Sequence, residues 1–500
     1  MNLPLEQPVQ HPAERPAEPA QQPEQRPAER SAEPAQLPLQ QPVERPPEPV
    51  QQAEQGAPRA SSPISPPAQQ QGRSSSGAPP PAPDRPQRIG IDARKLQDFG
   101  IGTYVRNLVR AIAQLDGDDS RSPSVRYSLL VRAEDREQLA DLPANFELAV
   151  ERSPVYSMRE MVTLSWQLWR QRLDLYHATH YVLPLAITAR VVVTIHDIIH
   201  LLYPEFLPNR LAFFYARGMI HRSLTRGDRI IAVSQNTRAD LMQNFAVDGR
   251  KIEVIYNGVE DVFRRPLPDA EIEHWLHSLG ISRPYLLFVG NPKPHKNLDT
   301  LVQAYARART LAPFSAPLVC VGNRSGSEFK IRQRAEQLGL ADQVRLLGHV
   351  AQEALPAIYQ GATLFLYPTL YEGFGLPVVE AMASGVAVIT SNTSALKEIA
   401  QSYAHLVDPL DIPAMARAIA QCMADADHRA TLAKLGRRRA EDFRWEQAAR
   451  QTLAVYRSVL GGAAAPQRGQ SAAAGPAPAG PAPATPTASP ATTAARGDEA

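Results

Sequence analysis

Short apolar runs alternate with longer amphipathic stretches in the first half of the central chain. Strand-like runs occupy residues 88–93, 127–131, 173–176, 191–195, 229–233 and 252–255. Helical periodicity is clearest in the gaps at residues 103–115, 159–172 and 211–224. A strand-and-helix alternation of this kind predicts a parallel sheet that is covered by helices on both faces.

The same alternation starts again after a break near residues 257–282, where Asn257-Gly258, Pro266 and Pro268 interrupt the pattern. New apolar runs follow at residues 285–289, 318–321, 344–347, 363–366 and 386–389. We therefore expect an α/β protein with two doubly wound, Rossmann-like domains, at residues 88–265 and 280–440. Open parallel sheets bind ligands beyond the carboxyl ends of their strands, so the two domains should face a substrate cleft.

The two ends of the chain differ in composition from its centre. Of the 47 prolines, 22 lie in residues 1–87 and 7 in residues 461–500, and both segments lack aromatic residues. Such segments bury too little apolar surface to offset the entropy of ordering, so we predict disordered tails there. Residues 441–460 read as a final helix that crosses back to the first domain.

Charge and cysteine content narrow the function. Lys+Arg 53 against Asp+Glu 51 gives no basic surface for nucleic acid. Cys320 and Cys422 lie in strand-like and helix-like patterns and are interpreted as packed, reduced thiols rather than metal ligands. The start of the chain has no secretory pattern, and no apolar run is long enough to span a bilayer. These features predict a cytoplasmic protein, with peripheral contact at the inner face of the membrane left open.

The segment at residues 367–385 carries the most specific chemistry. A strand ends, a loop with Gly373 and Gly375 follows, and a helix begins near Pro377. Glycines allow backbone N–H groups to approach a ligand, and a helix N-terminus favours an anion. We expect Glu380, in the first turn of the helix, to point back toward Glu372. Two carboxylates would then accept hydrogen bonds from sugar hydroxyls beside a phosphate cradle.

Glu372 and Glu380, with seven residues between them, resemble the paired-glutamate signature of family 4 retaining nucleotide-sugar glycosyltransferases. Supporting motifs lie in the expected order at residues 100–104, 194–197, 232–234, 257–260, 290–297 and 443–446. The resemblance implies the two-domain GT-B fold and a metal-independent transfer without a cofactor. It also implies a nucleotide-sugar donor and a saccharide or lipid-linked saccharide acceptor, in polysaccharide, O-antigen or glycolipid biosynthesis. Residues 293–297 are similar to a mannosyltransferase-like subgroup, which makes mannose from GDP-mannose the best prediction.

The resemblance also implies roles for individual residues. It places Glu372, His196 and Lys296 in the catalytic site, with His196 against the donor sugar. The donor-binding residues that it implies are Lys293, Gly373, Phe374, Gly375, Leu376, Glu380, Gly102 and Gly290. We expect Asn297 to cap the helix that begins at Leu298, which would set Lys296 beside a positive helix end. Lys293 is preferred to Asn291 and His295 as the second phosphate-binding cation.

Other interpretations remain open from the sequence. Another enzyme on the same architecture, such as an epimerase or phosphorylase, is one, and a non-catalytic scaffold is another. Asp116-Gly117-Asp118 spells a metal-binding triplet of a different glycosyltransferase fold, but it follows a helix and is expected to be a solvated loop. The basic stretch at residues 210–229 fits either a helix that covers the sheet or one that lies on an anionic membrane.

Overall fold

The structure is a computed structural model that describes residues 85–120, 123–152, 158–207, 209–322 and 328–461. The predicted tails lie outside these residues, apart from residues 85–87 and 461. Within the described chain, the elements form two α/β domains. No helix in these ranges is both long enough and apolar enough to cross a bilayer.

The first domain is built on a fully parallel sheet of seven strands in the order β3-β2-β1-β4-β5-β6-β7. The strands are β1 (Gln87–Asp92), β2 (Val125–Val131), β3 (Phe146–Val150), β4 (Leu175–Ala178), β5 (Arg190–Ile195), β6 (Arg229–Ala232) and β7 (Ile252–Val254). Its helices are α1 (Phe99–Asp116), α2 (Met158–Gln171), α3 (Ile199–Leu202), α4 (Arg210–Arg226) and α5 (Gln235–Asn244). Ile91 in the central strand pairs with Leu129 on one side and with His177 on the other.

The second domain has a parallel sheet of six strands in the order β10-β9-β8-β11-β12-β13. The strands are β8 (Leu286–Val289), β9 (Leu318–Val321), β10 (Val344–Gly348), β11 (Leu364–Tyr367), β12 (Val388–Ser391) and β13 (His405–Val407). The helices before the sheet are α6 (Asp261–Arg264) and α7 (Asp269–Ser278). Those within and after it are α8 (Leu298–Leu311), α9 (Glu328–Gln337), α10 (Leu355–Gly361), α11 (Leu376–Ala383), α12 (Ser394–Ala400), α13 (Ile412–Ala424), α14 (Ala426–Ala440) and α15 (Trp445–Gly461).

The predicted fold class of two doubly wound parallel-sheet domains is confirmed, since both sheets share the strand order of a Rossmann fold. The sequence pattern missed the edge strands β3 and β13. Each pairs on only one side, and each leaves at least half of its positions partly or fully exposed, so neither shows the continuous apolar run of a central strand. The other two edge strands, β7 and β10, are also partly exposed but were located, so an edge position does not by itself hide a strand.

The chain passes between the domains twice, and the two passages lie side by side. Val259 and Phe263 already pack in the second core, a few residues before residue 265. The Val259 N–H donates to the Phe443 carbonyl over 3.0 Å. A Cβ on Gly258 would lie 2.2 Å from the backbone nitrogen of Trp445, so only glycine fits there. Beyond this point α15 packs on α1 and adds its apolar face to the first core.

Candidate active site

Lys296 and Glu372 meet at the carboxyl edge of the second sheet. Lys296 ends a short 3-10 turn after β8, and Glu372 lies in the loop after β11. Because β8 and β11 are paired parallel strands, their following loops leave the same edge of the sheet side by side. The two side chains form an ion pair and are 15% and 14% exposed. The cation and the carboxylate thus line one partly open position.

Tyr367, the last residue of β11, completes this cluster. The Lys296 ammonium donates to the Tyr367 hydroxyl over 2.9 Å, and that hydroxyl donates to Glu372 Oε1 over 3.0 Å. Burial raises the pKa of Tyr367 well above its usual value, and the Glu372 and Glu380 carboxylates add to the rise, so the hydroxyl keeps its proton. Lys296 has three donors, and two are used by Tyr367 and Glu372. Among the described residues no third acceptor is bonded to Lys296, so one donor is left for a ligand.

Two glycines shape the loop that carries Glu372. A Cβ on Gly373 would lie 1.9 Å from the carbonyl oxygen of His196, so the loop touches the backbone of the first domain. Gly375 has a φ of 97° and precedes α11, and a Cβ there would lie 2.4 Å from Leu396. These positions need glycine for close approach and for the left-handed conformation, respectively.

The side chains of Phe374 and Leu376 have packing roles rather than ligand-facing ones. Phe374 is buried against Tyr256 and Phe443, with ring centroids 6.3 and 5.6 Å away. Only the backbone of Phe374 is therefore available to a ligand. Leu376 opens α11, and its Cδ1 would be 3.9 Å from a Cβ on Gly100 in the first turn of α1. The N-termini of α11 and α1 therefore face each other across the domains, and both favour an anion between them.

Glu380 lies farther along α11 than expected. The helix begins at Leu376, which puts Glu380 in the second turn, so the prediction of a first-turn position is wrong. The Tyr359 hydroxyl donates to Glu380 Oε2 over 2.8 Å. The pKa of Glu380 is raised to about 7, chiefly by burial and further by the Glu260 carboxylate, while the Tyr359 hydrogen bond opposes the rise.

Replacing Glu380 by glutamine should therefore stabilise the protein at pH 8 more than at pH 5. The folded pKa of about 7 exceeds the ordinary 4.5, so the folded state binds this proton more tightly. Its contribution to stability falls as the pH rises from about 4.5 to about 7. Denaturant midpoints of the variant and the wild type at both pH values measure the effect, with the exposed Glu253→Gln as control. Equal differences at the two pH values would contradict the raised pKa.

His196 follows β5 and faces the loop after β11. Its Nε2–H donates to the Thr179 carbonyl over 2.9 Å, and the ring meets Tyr104 edge-on at 4.9 Å. Burial lowers the pKa of His196, so the ring is neutral near pH 7. Since Nε2 is the donor, the neutral ring carries its acceptor at Nδ1. Within the described residues Nδ1 has no protein partner, and it can accept from a ligand hydroxyl.

The remaining predicted residues have different surroundings. Lys293 is exposed at the start of the 3-10 turn. Burial lowers the pKa of His295 to about 4, and the charges of Lys296 and Lys293 add to this effect. His295 is therefore neutral near pH 7, and Lys293 is still the preferred second cation. Gly290 follows β8, and its N–H donates to the Val321 carbonyl over 2.8 Å. A Cβ on Gly102 would lie 2.2 Å from the Leu96 carbonyl oxygen, inside the turn that starts α1.

The expectation for Asn297 is wrong in one respect. It occupies the cap position of α8, but it has a left-handed φ of 58° and its side chain does not cap the helix. Its amide instead donates to the Pro368 and Pro409 carbonyls over 3.0 and 2.7 Å. Asn297 therefore holds the turn of Lys296 against the start of the loop that carries Glu372. It does so through these side-chain bonds to carbonyl groups rather than by capping α8.

Helix α5 of the first domain is held by side chains of the second, a contact that the sequence analysis did not identify. Glu398 on α12 accepts from the N–H groups of Gln235 and Asn236 over 2.9 and 3.0 Å. Tyr371 donates to Asp240 over 2.6 Å. A carboxylate at a helix N-terminus is a favourable pairing. A glutamate one turn into a helix after a strand is too common a pattern to have singled out Glu398.

The same helix α12 also holds Glu372. The Glu372 N–H donates to the Ser394 hydroxyl over 3.1 Å, and the Ala395 N–H donates to the Glu372 carbonyl over 3.3 Å. On the α5 side, the Thr237 hydroxyl lies 3.2 Å from the His196 carbonyl and 3.3 Å from that of Gly373. Contact between the domains therefore positions both Glu372 and His196.

Replacing Glu398 by alanine should lower kcat/KM by about tenfold, because a hydrogen bond to a charged group contributes about 1.5–3 kcal/mol. The matched control is Asp411→Ala. Asp411 caps α13 through Ala414 over 2.8 Å, wholly inside the second domain. That control should lower the melting temperature without a similar loss of turnover. Equal kinetic losses in the two variants would contradict a role at the domain interface.

Two side chains with metal-binding atoms, Asp116 and His177, are bonded to other protein side chains instead. Asp116, in the Asp116-Gly117-Asp118 triplet, accepts from the Tyr127 hydroxyl over 2.5 Å. His177 is buried, and its two ring nitrogens lie 2.6 Å from the Tyr456 hydroxyl and 2.8 Å from that of Thr194. His177 thus belongs to the core network beneath α15.

Comparison with known proteins agrees with this geometry. Residues 271–439 match the family of glycosyl transferases group 1, and residues 100–263 match Glycosyltransferase Family 4. The chain is 30% identical over 294 residues to O-antigen chain mannosyltransferase B of Escherichia coli, which covers 59% of this chain and 76% of the relative. It is 30% identical over 235 residues to the O-antigen chain mannosyltransferase RfbU of Salmonella typhimurium. That match covers 47% of this chain and 60% of the relative.

A solved structure has the same fold. The HepE protein of Anabaena, in complex with UDP and glucose, is 20% identical to this chain with a TM-score of 0.61. The match covers 74% of this chain and 100% of that one. At this level of identity the likeness concerns the fold, which is the two-domain arrangement described above.

Proposed function

The chain belongs to glycosyltransferase family 4 and is a glycosyltransferase, and from that premise we propose that it transfers mannose from GDP-mannose to a saccharide or lipid-linked saccharide acceptor. The observation that carries the site assignment is the cluster of Lys296, Tyr367 and Glu372 between two facing domains. The choice of mannose is supported by the two O-antigen mannosyltransferases that resemble this chain.

The site is suited to stabilising the nucleoside diphosphate that leaves during sugar transfer. Breaking the bond between the sugar and the diphosphate leaves negative charge on the phosphate oxygens. Lys296 is bonded to the loop that leads into α11, and the start of α11 lies next to the start of α1, so a cation and two positive helix ends are available to the phosphates. Fixed donors aimed at developing charge lower the barrier without reorganising. We therefore assign stabilisation of the leaving diphosphate to this set, which requires no metal ion.

The sugar is held by acceptors rather than donors. Glu372 Oε1 accepts from Lys296 and Tyr367, and within the described chain Oε2 has no partner. Glu380 Oε1 is likewise without one, and His196 Nδ1 supplies a neutral acceptor from the first domain. The Glu372 carboxylate and a neutral imidazole bind hydroxyl groups, and that carboxylate repels phosphate, while Glu380 offers an acceptor oxygen whether or not it is protonated. The diphosphate and the hexose thus have separate partners, which orients the anomeric carbon toward the first domain.

An assay of nucleoside diphosphate release tests this function. The purified full-length chain is incubated with GDP-mannose, GDP-fucose, UDP-glucose or UDP-galactose, with and without a lipid-linked saccharide extract. We expect acceptor-dependent GDP release from GDP-mannose and a mannose-extended product by mass spectrometry. A phosphorylase would yield a sugar phosphate, and an epimerase a changed nucleotide-sugar without release. A scaffold would bind none of the donors, and any of these three results would overturn the proposal.

A peripheral membrane contact would bring the enzyme to a lipid-linked acceptor. Helix α4 turns Met219, Ile220 and Leu224 to the core, while Leu211 and Phe214 are 79% and 59% exposed on its opposite side. Arg210 is exposed beside them. An apolar stripe with a basic flank suits an anionic bilayer surface. We propose this end of α4 as the membrane-facing part of the first domain.

Vesicle sedimentation checks the membrane contact. The wild type should bind phosphatidylglycerol vesicles more than phosphatidylcholine vesicles. The double variant Leu211→Ser and Phe214→Ser should lose most of this binding, because each exposed apolar side chain contributes about 1.5–3 kcal/mol when buried. Phe329→Ser is the matched control, since Phe329 is 73% exposed but lies in the second domain. Absence of binding by the wild type, or equal losses in the control, would contradict the assignment.

A further inference from the structure

Three side chains with metal-binding atoms meet in the second domain, among residues that the donor site does not use. His405 lies on the edge strand β13, Cys422 in the last turn of α13, and His428 in the first turn of α14. Their ligand atoms all lie within 4.8 Å of one another. Three elements that are separate in sequence therefore bring two imidazoles and a thiol to one point.

One of these groups lacks the partner that its burial requires. His428 Nε2 is buried, and no hydrogen-bond partner for it occurs in the described part of the chain. An unpaired polar atom away from water costs free energy, so most such atoms in folded proteins have a partner. Cys422 beside it is fully buried. Arg429 directs its guanidinium to the carbonyl oxygens of Cys422 and Met423, the latter over 3.0 Å, rather than to the sulfur.

In place of the sequence-based expectation that Cys422 is a packed thiol and not a metal ligand, we propose that His405, Cys422 and His428 form a binding site for a divalent metal ion of the zinc class. A thiolate with two imidazoles is a donor set that zinc and cobalt accept in tetrahedral geometry, with a water as fourth ligand. Bonds of about 2.3 Å to sulfur and about 2.0–2.1 Å to nitrogen set ligand atoms roughly 3.3–3.7 Å apart. The ligand atoms of the cluster lie up to 4.8 Å apart, so they must move about 1 Å closer to one another to bind a metal. The imidazoles of His405 and His428 are partly exposed and can make this movement.

Binding at this site is an exchange of one proton for one metal ion. The S–H bond of Cys422 breaks, the sulfur binds the metal, and the proton leaves to solvent. No redox partner is needed, because neither the metal nor the sulfur changes oxidation state.

The site would join elements that support the donor pocket from behind. It links β13 to both ends of the turn at Asp425 between α13 and α14. Helix α14 in turn packs on α11, where a Cβ on Gly436 would lie 3.1 Å from Met382. Helix α11 carries Glu380 and starts at the Gly373 loop. The inferred role of the metal is thus structural stabilisation of the second domain.

A cobalt titration of the purified full-length protein, after removal of metals with a chelator, tests the site. We expect a thiolate-to-cobalt charge-transfer band and the strong visible bands of tetrahedral cobalt, both saturating at one equivalent. Cys422→Ser should lose the charge-transfer band, and His428→Gln should weaken cobalt binding by at least about tenfold. The matched control is Cys320→Ser, since Cys320 is the other buried cysteine and lies outside the cluster in β9.

The result that would overturn the site is the absence of a thiolate band in the wild type. Persistence of the band in Cys422→Ser, or its loss in Cys320→Ser, would do the same. Because the Cys422 variant carries a new buried hydroxyl, the partly exposed His428→Gln supplies a second test with the fold intact. Zinc should raise the melting temperature of the wild type and of Cys320→Ser, but not that of His428→Gln. None of these measurements uses a nucleotide-sugar, so they are independent of the transferase proposal.

Discussion

Replacing Lys296 by alanine is expected to lower the rate of sugar transfer by about a hundredfold to a thousandfold, the usual cost of removing one donor to developing negative charge. Lys296 is the cation placed between the Glu372 loop and Tyr367, with one donor left for the diphosphate. The loss should fall mainly on kcat, because the charge is largest on the departing diphosphate. Initial rates of acceptor-dependent nucleotide release measure it.

The matched control for this experiment is Lys330→Ala. Lys330 is an exposed lysine on α9 of the same domain, so its removal changes the net charge equally. It should leave the rate of transfer unchanged. Similar losses in the two variants would mean that overall charge, rather than the position of Lys296, matters. Wild-type turnover by Lys296→Ala would remove the lysine from the mechanism.

Replacing Gly373 by alanine is expected to lower kcat/KM by about a hundredfold or more, since a misplacement of about 1 Å can cost that much. The added Cβ would lie 1.9 Å from the His196 carbonyl oxygen and 3.0 Å from Asp197 Cβ. The nearest atom is backbone, which cannot rotate away. The domains must therefore separate at this point, and Glu372 must move away from His196. Kinetics with a saturating acceptor measure the loss.

Gly218→Ala is the matched control, because a Cβ on Gly218 in α4 would meet nothing within 4 Å. It should keep full turnover and a slightly higher stability, as alanine favours a helix. Gly373→Ala should keep a melting temperature close to that of the wild type, because the clash lies at the domain interface rather than in either core. A large loss of stability together with the loss of activity would contradict this interpretation.

The family resemblance placed Lys296 and Glu372 in one site, and the topology of the sheet explains why they meet. Each residue stands shortly after a strand of a predicted parallel sheet, and the ends of neighbouring strands share one edge. The pattern of apolar runs was enough to locate both strands. The family resemblance then gave these loops their roles, which no periodicity could supply.

Features that depend on exact geometry or distant contacts could not be predicted. Asn297 has the residue type and position of a helix cap, but its left-handed backbone turns the amide toward two carbonyls across the loop. Glu380 falls just beyond the first turn, because α11 begins at Leu376, one residue before the expected start at Pro377. Glu398 accepts hydrogen bonds from Gln235 and Asn236 in α5, which lie 163 and 162 positions earlier in the chain. Such pairs are set by how the two domains pack.

A crystal structure of the full-length enzyme with GDP would show whether Lys296 binds the leaving diphosphate. We expect the terminal phosphate within hydrogen-bond distance of Lys296 Nζ, beside the N-terminus of α11, with the ion pair to Glu372 retained or loosened. A diphosphate bound elsewhere, while Lys296 contacts only Tyr367 and Glu372, would contradict it.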